Sequence, residues 1–101
     1  MADLNSDIRL AIGTGKVALG AEESMRAINS NTAKLVIISE VGRSGSSADI
    51  EHACAIAGIR LMKFKGNSME LGTVCGKPHS VSSLAVIEAG NSKILENEYK
   101  E

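Results

Sequence analysis

Apolar residues along this chain alternate between two spacings, one typical of amphipathic helices and the other of buried strands. Near the start, Leu4, Ile8 and Ala11 recur every three or four residues, which predicts a helix that ends at the glycine-containing residues 13–15. By contrast, residues 34–38 form a continuous aliphatic run, of the kind found in strands that are covered on both faces. The alternation of the two patterns favours an α/β protein.

The same two patterns extend over the rest of the chain. They predict helices over residues 4–12, after Gly20, over 49–57 and over 67–75, with a last helix opened near Asn91 and Ser92, and strands over residues 17–19, 34–38, 59–64 and 83–87. This order, αβαβαβαβα, indicates a three-layer α/β/α sandwich with a central four-stranded mixed sheet. The helix over 49–57 is expected to end at Gly58 and to turn four residues inward, Ile50, Ala53, Cys54 and Ile56. The polar residues 42–47 before it are expected to form a loop.

The short helix after residue 66 carries strong capping signals. Asn67 can accept a backbone N–H as the N-cap, and Glu70 stands three residues later, as in a capping box. Gly76, followed by Lys77 and Pro78, ends the helix. Gly72 lies inside it, where glycine costs about 1 kcal/mol relative to alanine. Such a glycine indicates close approach of another backbone, either in helix-on-sheet packing or in a ligand, and both alternatives stay open.

Composition narrows the class of protein. The 101 residues suffice for one core, so we expect a single domain over residues 1–101. Because Phe64 and Tyr99 are the only aromatic residues, the core is expected to be aliphatic, and nucleic-acid binding cannot rely on stacked aromatic side chains. No apolar run approaches the length of a membrane span, and the first residues lack the basic start of a signal peptide. We therefore expect a cytoplasmic protein without a membrane partner.

Charge is unevenly distributed although the net charge is only −1. Residues 60–79 carry four basic residues, Arg60, Lys63, Lys65 and Lys77, against Glu70, which leaves a local charge of +3. From residue 88 onward, two lysines stand against four glutamates, a local charge of −2. The basic segment beside the short helix is either a phosphate-facing edge or a solvated rim.

The cysteines do not form a metal site. Cys54 and Cys75 stand among small or apolar neighbours, which predicts buried free thiols. Together with His52 and His79 they lack the CxxC or HxxxH spacing that zinc sites use. We therefore expect no metal.

Two further patterns that suggest catalysis also fail on spacing. Residues 13–16, Gly-Thr-Gly-Lys, match only a fragment of a phosphate-binding P-loop, and they end a helix instead of following a strand. Cys75 and His79 lie four residues apart, but Gly76 and Pro78 break the helix that would bring them onto one face. We therefore expect no enzyme, no cofactor and no small-molecule substrate.

Three turns remain as candidate binding elements, at residues 19–24, 41–44 and 66–69. Each of them leaves a predicted strand and opens a predicted helix. In alternating α/β folds, ligands meet the loops at the carboxyl ends of strands, where helix N-termini offer free N–H groups to phosphates. The three turns are therefore the expected site of an anionic ligand.

Several segments of the chain resemble those of one protein family. They are Gly15-Lys16 with Gly20, AKLVII at residues 33–38, DIE at residues 49–51, ELGTVCGKP at residues 70–78 and IEAGNSKIL at residues 87–95. On these residues the chain is identified as a member of the L-thirty-e family of archaeal and eukaryotic large-subunit ribosomal proteins. That family is a branch of the kink-turn-binding superfamily that also contains the L-seven-Ae proteins. The similarity runs from about Leu10 to Leu95, and the ELGTxxGKP segment is its most specific part.

The resemblance implies a structural protein of the large subunit of cytoplasmic ribosomes, with neighbouring ribosomal proteins as partners. It also implies binding of a ribosomal RNA kink-turn, a duplex interrupted by a bulge beside sheared G·A pairs. The RNA-binding positions carried over from the family are Gly20, Glu23 and Arg26 in the first turn, Val41 and Arg43 in the second, and Asn67, Ser68, Met69 and Leu71 in the third. Such recognition uses backbone N–H groups, small residues and an apolar wedge, here Met69 or Leu71, against a splayed base.

Three positions depart from the family pattern. Close relatives usually carry basic residues at Glu22 and Glu23 and an asparagine near Val41. Glu23 matches an acidic residue of the L-seven-Ae branch that accepts hydrogen bonds from a guanine edge, whereas Glu22 is expected to repel phosphate. Two alternatives therefore stand beside the ribosomal role. One is a stand-alone kink-turn binder in a small ribonucleoprotein or in autoregulation, and the other is a relative whose acidic turn binds a protein partner in place of RNA.

Overall fold

The computed structural model describes residues 4–39 and 45–90, together with Ser92 and Ile94. Its elements are α1 (Leu4–Thr14), β1 (Lys16–Leu19), α2 (Ala21–Asn29), β2 (Leu35–Ser39), α3 (Gly45–Ala57), β3 (Arg60–Phe64), α4 (Ser68–Val74) and β4 (Ser83–Glu88). The alternation of helices and strands is confirmed over this part of the chain. The helix expected to open near Asn91 lies outside the described residues.

The four strands form one mixed sheet in the order β1-β4-β2-β3. β4 pairs antiparallel with both β1 and β2, and β3 pairs parallel with β2. Consequently β1, β2 and β3 all run in the same direction, and β4 runs against them.

This topology gives the sheet two distinct ends. At the end that we call the upper end, the three parallel strands finish at Leu19, Ser39 and Phe64, and β4 begins at Ser83. At the opposite or lower end, the parallel strands begin at Lys16, Leu35 and Arg60, and β4 finishes at Glu88.

Helices cover both faces of the sheet, which confirms the three-layer sandwich. On one face, α1 and α4 pack against alternate residues of β2 and β4, through Ile8, Ala11, Leu71 and Val74 on the helices and Leu35, Ile37, Leu84 and Val86 on the strands. On the other face, α2 and α3 pack through Ala27, Ile28, Ile50 and Cys54 against Val36, Ile38 and Ala85. All five residues of β2 are buried, because successive side chains point to opposite faces and both faces are covered. Truncating such a residue to alanine is expected to cost about 2–5 kcal/mol.

The third helix ends at Ala57, as predicted, but differs from the prediction in its start and in one residue expected to point inward. α3 begins at Gly45 instead of residue 49, so residues 45–47 are helical and the expected loop is shorter. Residues 45–48, Gly-Ser-Ser-Ala, contain no large apolar side chain, and apolar periodicity therefore gives no sign of a helix there. Near the other end, Ile56 is 75% exposed, so the inward prediction for this residue is wrong. Because Ile56 lies two residues after the buried Cys54, it stands about 200° further round the helix.

Two glycine positions are explained by contacts within the protein. A methyl group on Gly72 would overlap the carbonyl oxygen of His79, so this glycine lets α4 approach the chain that leads into β4. Of the two alternatives for Gly72, the structure thus shows backbone packing. Similarly, Gly15 and Gly90 allow the end of α1 to pass close to the end of β4 at the lower end. The Gly-Thr-Gly-Lys stretch at residues 13–16 is therefore part of a backbone crossing.

Candidate nucleic-acid interface

The upper end of the sheet is held together by three backbone hydrogen bonds to the segment that leads into β4. Gly20 N, after β1, donates to Ser83 O at 2.8 Å, and Ser39 N, at the end of β2, donates to Ser82 O at 2.9 Å. Val81 N donates to Ser68 O, in the first turn of α4, at 2.9 Å. Residues 81–83 therefore tie the turn after β1, the end of β2 and the start of α4 into one rigid surface.

The first turn is built on a glycine that no other residue replaces without strain. Gly20 has φ +98° and ψ 159°, a backbone conformation that side chains with a Cβ rarely adopt. A Cβ at this position would meet no atom within 4 Å, so the strain comes from the backbone angle and the surface above Gly20 is open. Gly20 is also the N-cap of α2, and it gives no side-chain hydrogen bond to the first helical turn. The first turn of α2 thus presents N–H groups that no capping side chain covers.

Two side chains of α2 that the family resemblance assigns to RNA binding contact each other. Arg26 Nη1 lies 3.0 Å from Glu23 Oε1, and the side chains are 68% and 52% exposed, respectively. An exposed pair three residues apart on a helix contributes only about 0.3–0.5 kcal/mol. A ligand at the upper end can therefore separate the pair at small cost. Glu22, the residue expected to repel phosphate, is exposed beside them.

The third turn, at residues 66–69, has the N-cap that the sequence predicts. Asn67 Oδ1 accepts a hydrogen bond from Glu70 N at 2.8 Å, which confirms Asn67 as the N-cap of α4. This bond uses the side-chain oxygen of Asn67 and not its NH2 group, and the residue is exposed at the helix start.

The two apolar residues considered as a wedge have opposite environments. Met69 is 60% exposed at the start of α4, whereas Leu71 is fully buried between α4 and the sheet. Two residues on a helix are separated by about 200°, so they cannot share a face. Leu71 therefore fixes the position of α4, and Met69 is the apolar side chain that can reach a base.

Two residues of the expected site cannot be placed. Val41 and Arg43, from the turn after β2, lie outside the described residues. The described chain reaches Ser39, which is 1% exposed and bonded to Ser82 as given above.

The segment before β4 is a part of this surface that the sequence reasoning missed. Ser82 and Ser83 accept the backbone bonds from Ser39 at the end of β2 and from Gly20, and His79 and Ser80 are exposed beside them. The run Ser-Val-Ser-Ser at residues 80–83 offers a signal, because small hydroxyl residues before a buried strand permit close approach. The signal is weak, since serine is common in any surface turn.

Two buried hydroxyl groups flank Gly20 from below. Ser83 accepts the bond from Gly20 N, and Ser24 N donates to Gly20 O at 2.9 Å. The side-chain oxygens of both serines are fully buried, and within the described residues neither has a hydrogen-bond partner. Buried polar groups without partners are uncommon and cost stability. The two serines therefore form an unusual pair, and both are bonded through their backbones to Gly20.

The cysteines lie in the core and offer no nucleophile to this surface. Burial raises the pKa of the Cys75 thiol to about 11, although nearby Lys77 acts in the opposite direction. Burial also raises the pKa of the Cys54 thiol, with a further contribution from the charge of Glu51. Both thiols are free and buried, as predicted, and both stay protonated at neutral pH. In the described part of the chain, no three His, Cys, Asp or Glu side chains form a group that could hold a metal ion.

Comparison with known proteins gives a consistent result. Residues 2–96 match the family model described as ribosomal protein L7Ae/L30e/S12e/Gadd45 family. A protein of Methanosphaera stadtmanae named large ribosomal subunit protein eL30 is 40% identical over 94 residues, which cover 93% of this chain and 96% of that protein.

Proteins with the same name show the same level of similarity in distant organisms. The one from Pyrobaculum neutrophilum is 38% identical over 95 residues, 94% of each chain. The one from Tetrahymena thermophila is 38% identical over 96 residues, which cover 95% of this chain and 92% of that protein. In addition, no helix within the described ranges combines the length and apolar character needed to cross a membrane.

Proposed function

We propose that this chain, which belongs to the ribosomal protein L7Ae/L30e/S12e/Gadd45 family, is a structural protein of the large ribosomal subunit and binds a kink-turn of ribosomal RNA at the upper end of its sheet. Its similarity to proteins named large ribosomal subunit protein eL30, over more than nine-tenths of both chains, supports the ribosomal part of this proposal. The whole chain acts as a single RNA-binding domain in cytoplasmic ribosomes, beside neighbouring ribosomal proteins. Nothing in this role requires catalysis.

The observation that carries the RNA-binding part is the set of three backbone hydrogen bonds that joins the turn after β1, the end of β2 and the start of α4 to residues 81–83. It fixes the uncapped first turn of α2, Gly20 and the half-buried Ser82 on one surface. RNA shape is recognised mainly through sugar and phosphate contacts and through splayed bases, for which rigid backbone donors and small residues are well suited. The surface does not need the aromatic platforms that this chain lacks.

Each exposed residue of the surface has a role in the proposed complex. Gly20 allows the RNA backbone to approach the first turn of α2, and Glu23 accepts hydrogen bonds from a base edge once it leaves Arg26. Arg26 is then free to pair with a phosphate. Asn67 and Ser68 hold the start of α4 while Met69 packs against a splayed base.

Val41 and Arg43 are assigned to the proposed site from the family resemblance, because they lie outside the described residues. Val41 lies where close relatives carry an asparagine, and we propose that it contributes an apolar contact there. Arg43 supplies a cation for the RNA backbone from the turn after β2.

Co-sedimentation tests this proposal. The tagged chain, expressed in cells, is expected to travel with large ribosomal subunits through a sucrose gradient and to stay bound in moderate salt. A variant with Gly20→Val is expected to remain at the top of the gradient. If both proteins stay at the top, the ribosomal assignment fails, and a stand-alone kink-turn binder becomes the better interpretation.

One observation favours the alternative in which a protein replaces RNA. Glu22 and Glu23 are exposed in the first turn of α2, and Glu22 also lines a depression of about 550 Å³ between α2 and α3, beside Met25 and Ile50. An acidic rim beside apolar side chains fits a protein better than a phosphate backbone. Absence of kink-turn binding by the parent chain, together with its co-sedimentation with large subunits, would support this second function.

A further inference from the structure

The exposed side of the helices α2 and α3 carries two adjacent depressions. The first, of about 550 Å³, has Met25 and Ile50 among its lining residues. The second, of about 490 Å³, has Ile56 among its lining residues. Asn29 and Asp49 line both depressions, so the two are continuous. We call them together the α2–α3 groove.

The groove runs along both helices, from the upper end of the sheet toward the lower end. α2 follows β1 and α3 follows β2, and both of these strands finish at the upper end. On α3, Ile50 lines the first depression and Ile56 the second, and the helix between them rises about 9 Å. A helix that lies in the groove presents side chains seven residues apart on one face, about 10.5 Å from each other. Two such apolar side chains therefore fit the two depressions.

Carboxylates outnumber the available cations along the groove. The exposed Glu22 lines the first depression, and the exposed Asp49 lines both. Arg26 also lines the first depression, but its guanidinium group lies 3.0 Å from the carboxylate of Glu23. The described residues that line the second depression include no lysine and no arginine. Charge complementarity therefore favours an occupant that carries lysine or arginine.

Two residues of the groove have no favourable role in the RNA proposal. Ile56 is 75% exposed, more than the other exposed large apolar residues of the described chain, Leu10 and Met69. Glu22 carries a charge that is expected to repel phosphate. An apolar contact area with a charged rim is the usual arrangement of a protein interface, whereas a nucleic-acid backbone is bound mainly by cations.

We propose that the α2–α3 groove binds an amphipathic helix of another protein, whose apolar face fills the two depressions and whose lysine or arginine residues pair with Glu22 and Asp49. This proposal rests on the proposed function in one respect, because RNA at the upper end leaves the helix to bind beside it. A second copy of the chain is a poorer occupant, since a two-fold contact would set the acidic groove against itself.

The test uses a fluorescein-labelled synthetic helix of about 15 residues as the probe. Leucines recur along one face at every third or fourth residue, and lysines flank them. An anisotropy titration with the full chain is expected to show that this probe binds at least about fivefold more tightly than a counterpart with glutamates in place of the lysines. Equal affinity for the two peptides, or no binding of the lysine probe, would overturn the inference.

Ile56→Ser tests whether the probe lies in the groove. The variant is expected to weaken binding by about fivefold to tenfold, because it removes exposed apolar contact surface and leaves the core intact. Leu10→Ser is the matched control, since Leu10 is also exposed but lies on α1, on the other face of the sheet. It is expected to bind the probe as the parent does. Equal losses in the two variants would refute binding in the groove.

Asp49→Asn tests the charge pairing. Loss of one exposed ion pair is expected to weaken binding of the lysine probe by about twofold to fivefold. Glu88→Gln removes the same charge at the end of β4, outside the groove, and is expected to leave the affinity unchanged. Thermal melts verify that each variant is folded. Equal effects of the two substitutions would contradict a pairing with Asp49.

Gly20→Val separates this inference from the kink-turn proposal. It is expected to lose kink-turn RNA and to bind the probe as the parent does. If it loses the probe while Ile56→Ser keeps it, the probe binds at the upper end and the groove is refuted. A parent chain that binds kink-turn RNA but not the probe refutes the groove alone, and the reverse result refutes the RNA proposal alone. A chain that sediments as a dimer and then excludes the probe would make a second copy the occupant and overturn the inference.

Discussion

The two ends of the central sheet present different chemistry, although the same four strands build them. At the upper end, the strand termini and the turn that follows them carry Gly20, Ser39, Ser82 and Ser83, and backbone hydrogen bonds connect these residues. At the lower end, the same strands begin or finish with Lys16, Lys34, Arg60 and Glu88. One end thus offers fixed backbone groups and small residues, and the other offers long charged side chains.

This difference determines how each end can recognise a ligand. A surface of backbone donors depends on exact placement, so single substitutions that alter its shape are expected to cause large losses with little change in salt dependence. Long charged side chains act through their charge, so substitutions at the lower end are expected to have small, additive and salt-dependent effects. Variants at the upper end test the first half of this contrast.

The largest effect is expected from Gly20→Val. The branched side chain projects from the open surface above Gly20 and forces a residue with φ +98° into a strained conformation. Loss of two hydrogen bonds of about 1.5 kcal/mol each predicts that kink-turn affinity falls on the order of 100-fold. A gel-shift titration on a kink-turn RNA measures this.

Gly58→Val provides the matched control for backbone strain. Gly58 also has a positive φ, +71°, and a Cβ there meets no atom within 4 Å, but it follows α3 and lies away from the upper end. Both variants are expected to lose about 1–3 kcal/mol of folding free energy, and only Gly20→Val is expected to lose RNA. If the two variants weaken RNA binding equally, the loss reflects stability, and Gly20 does not face the RNA.

Glu23→Ala is expected to have the next largest effect. If the carboxylate accepts hydrogen bonds from a base edge, its removal costs about 1–3 kcal/mol of binding free energy and leaves the salt slope unchanged. Because Glu23 pairs with Arg26 in the free protein, Arg26→Gln serves as the control. That variant is expected to lower the salt slope by about one unit, since it removes a phosphate contact. A Glu23→Ala variant with parental affinity would remove Glu23 from the interface.

Met69→Ala is expected to weaken kink-turn binding by about 1 kcal/mol, which corresponds to about fivefold. Met69 is exposed on α4 and its removal leaves the core intact, so the thermal midpoint is expected to stay unchanged. Leu71→Ala is the contrasting variant, because Leu71 is fully buried and its truncation is expected to cost about 2–5 kcal/mol of folding free energy. Should Met69→Ala bind RNA with full affinity, the wedge assignment is wrong.

The smallest effect is expected from Glu22→Lys. This exposed residue faces no partner that the RNA proposal assigns to it, so reversing its charge is expected to tighten binding a few-fold and to steepen the salt slope by about one to two units. Titrations at several salt concentrations measure both quantities. Weaker RNA binding in this variant would show that Glu22 makes a favourable contact with the RNA, and would contradict the repulsion assigned to it.

Much of the fold is predictable from the sequence because each local signal agrees with the packing. The aliphatic run of β2 is buried on both faces, and Asn67 caps α4 through the bond to Glu70 that its spacing predicts. The exceptions have physical reasons. Residues 45–47 are helical without apolar periodicity, and Ile56 lies on the solvent side of a helix that buries Ile50 and Cys54.

The candidate site was less predictable than the fold. The sequence identifies turns by their glycine and polar residues, but strand order decides which turns come together, and residue type does not encode strand order. The role of residues 81–83 follows only from the placement of β4 between β1 and β2. The burial of Leu71 follows from the side of α4 that faces the sheet, which a helix of seven residues does not reveal through periodicity.

The most direct test of the central claim compares two RNAs in one titration. The first contains a kink-turn, and in the second Watson–Crick pairs replace the sheared G·A pairs, so that the bulge and the number of phosphates stay the same while the pairs that stabilise the kink are lost. The full chain is expected to bind the kink-turn at least about 1,000-fold more tightly at physiological salt, as specific complexes do relative to non-specific ones. Equal affinity for the two RNAs would contradict it.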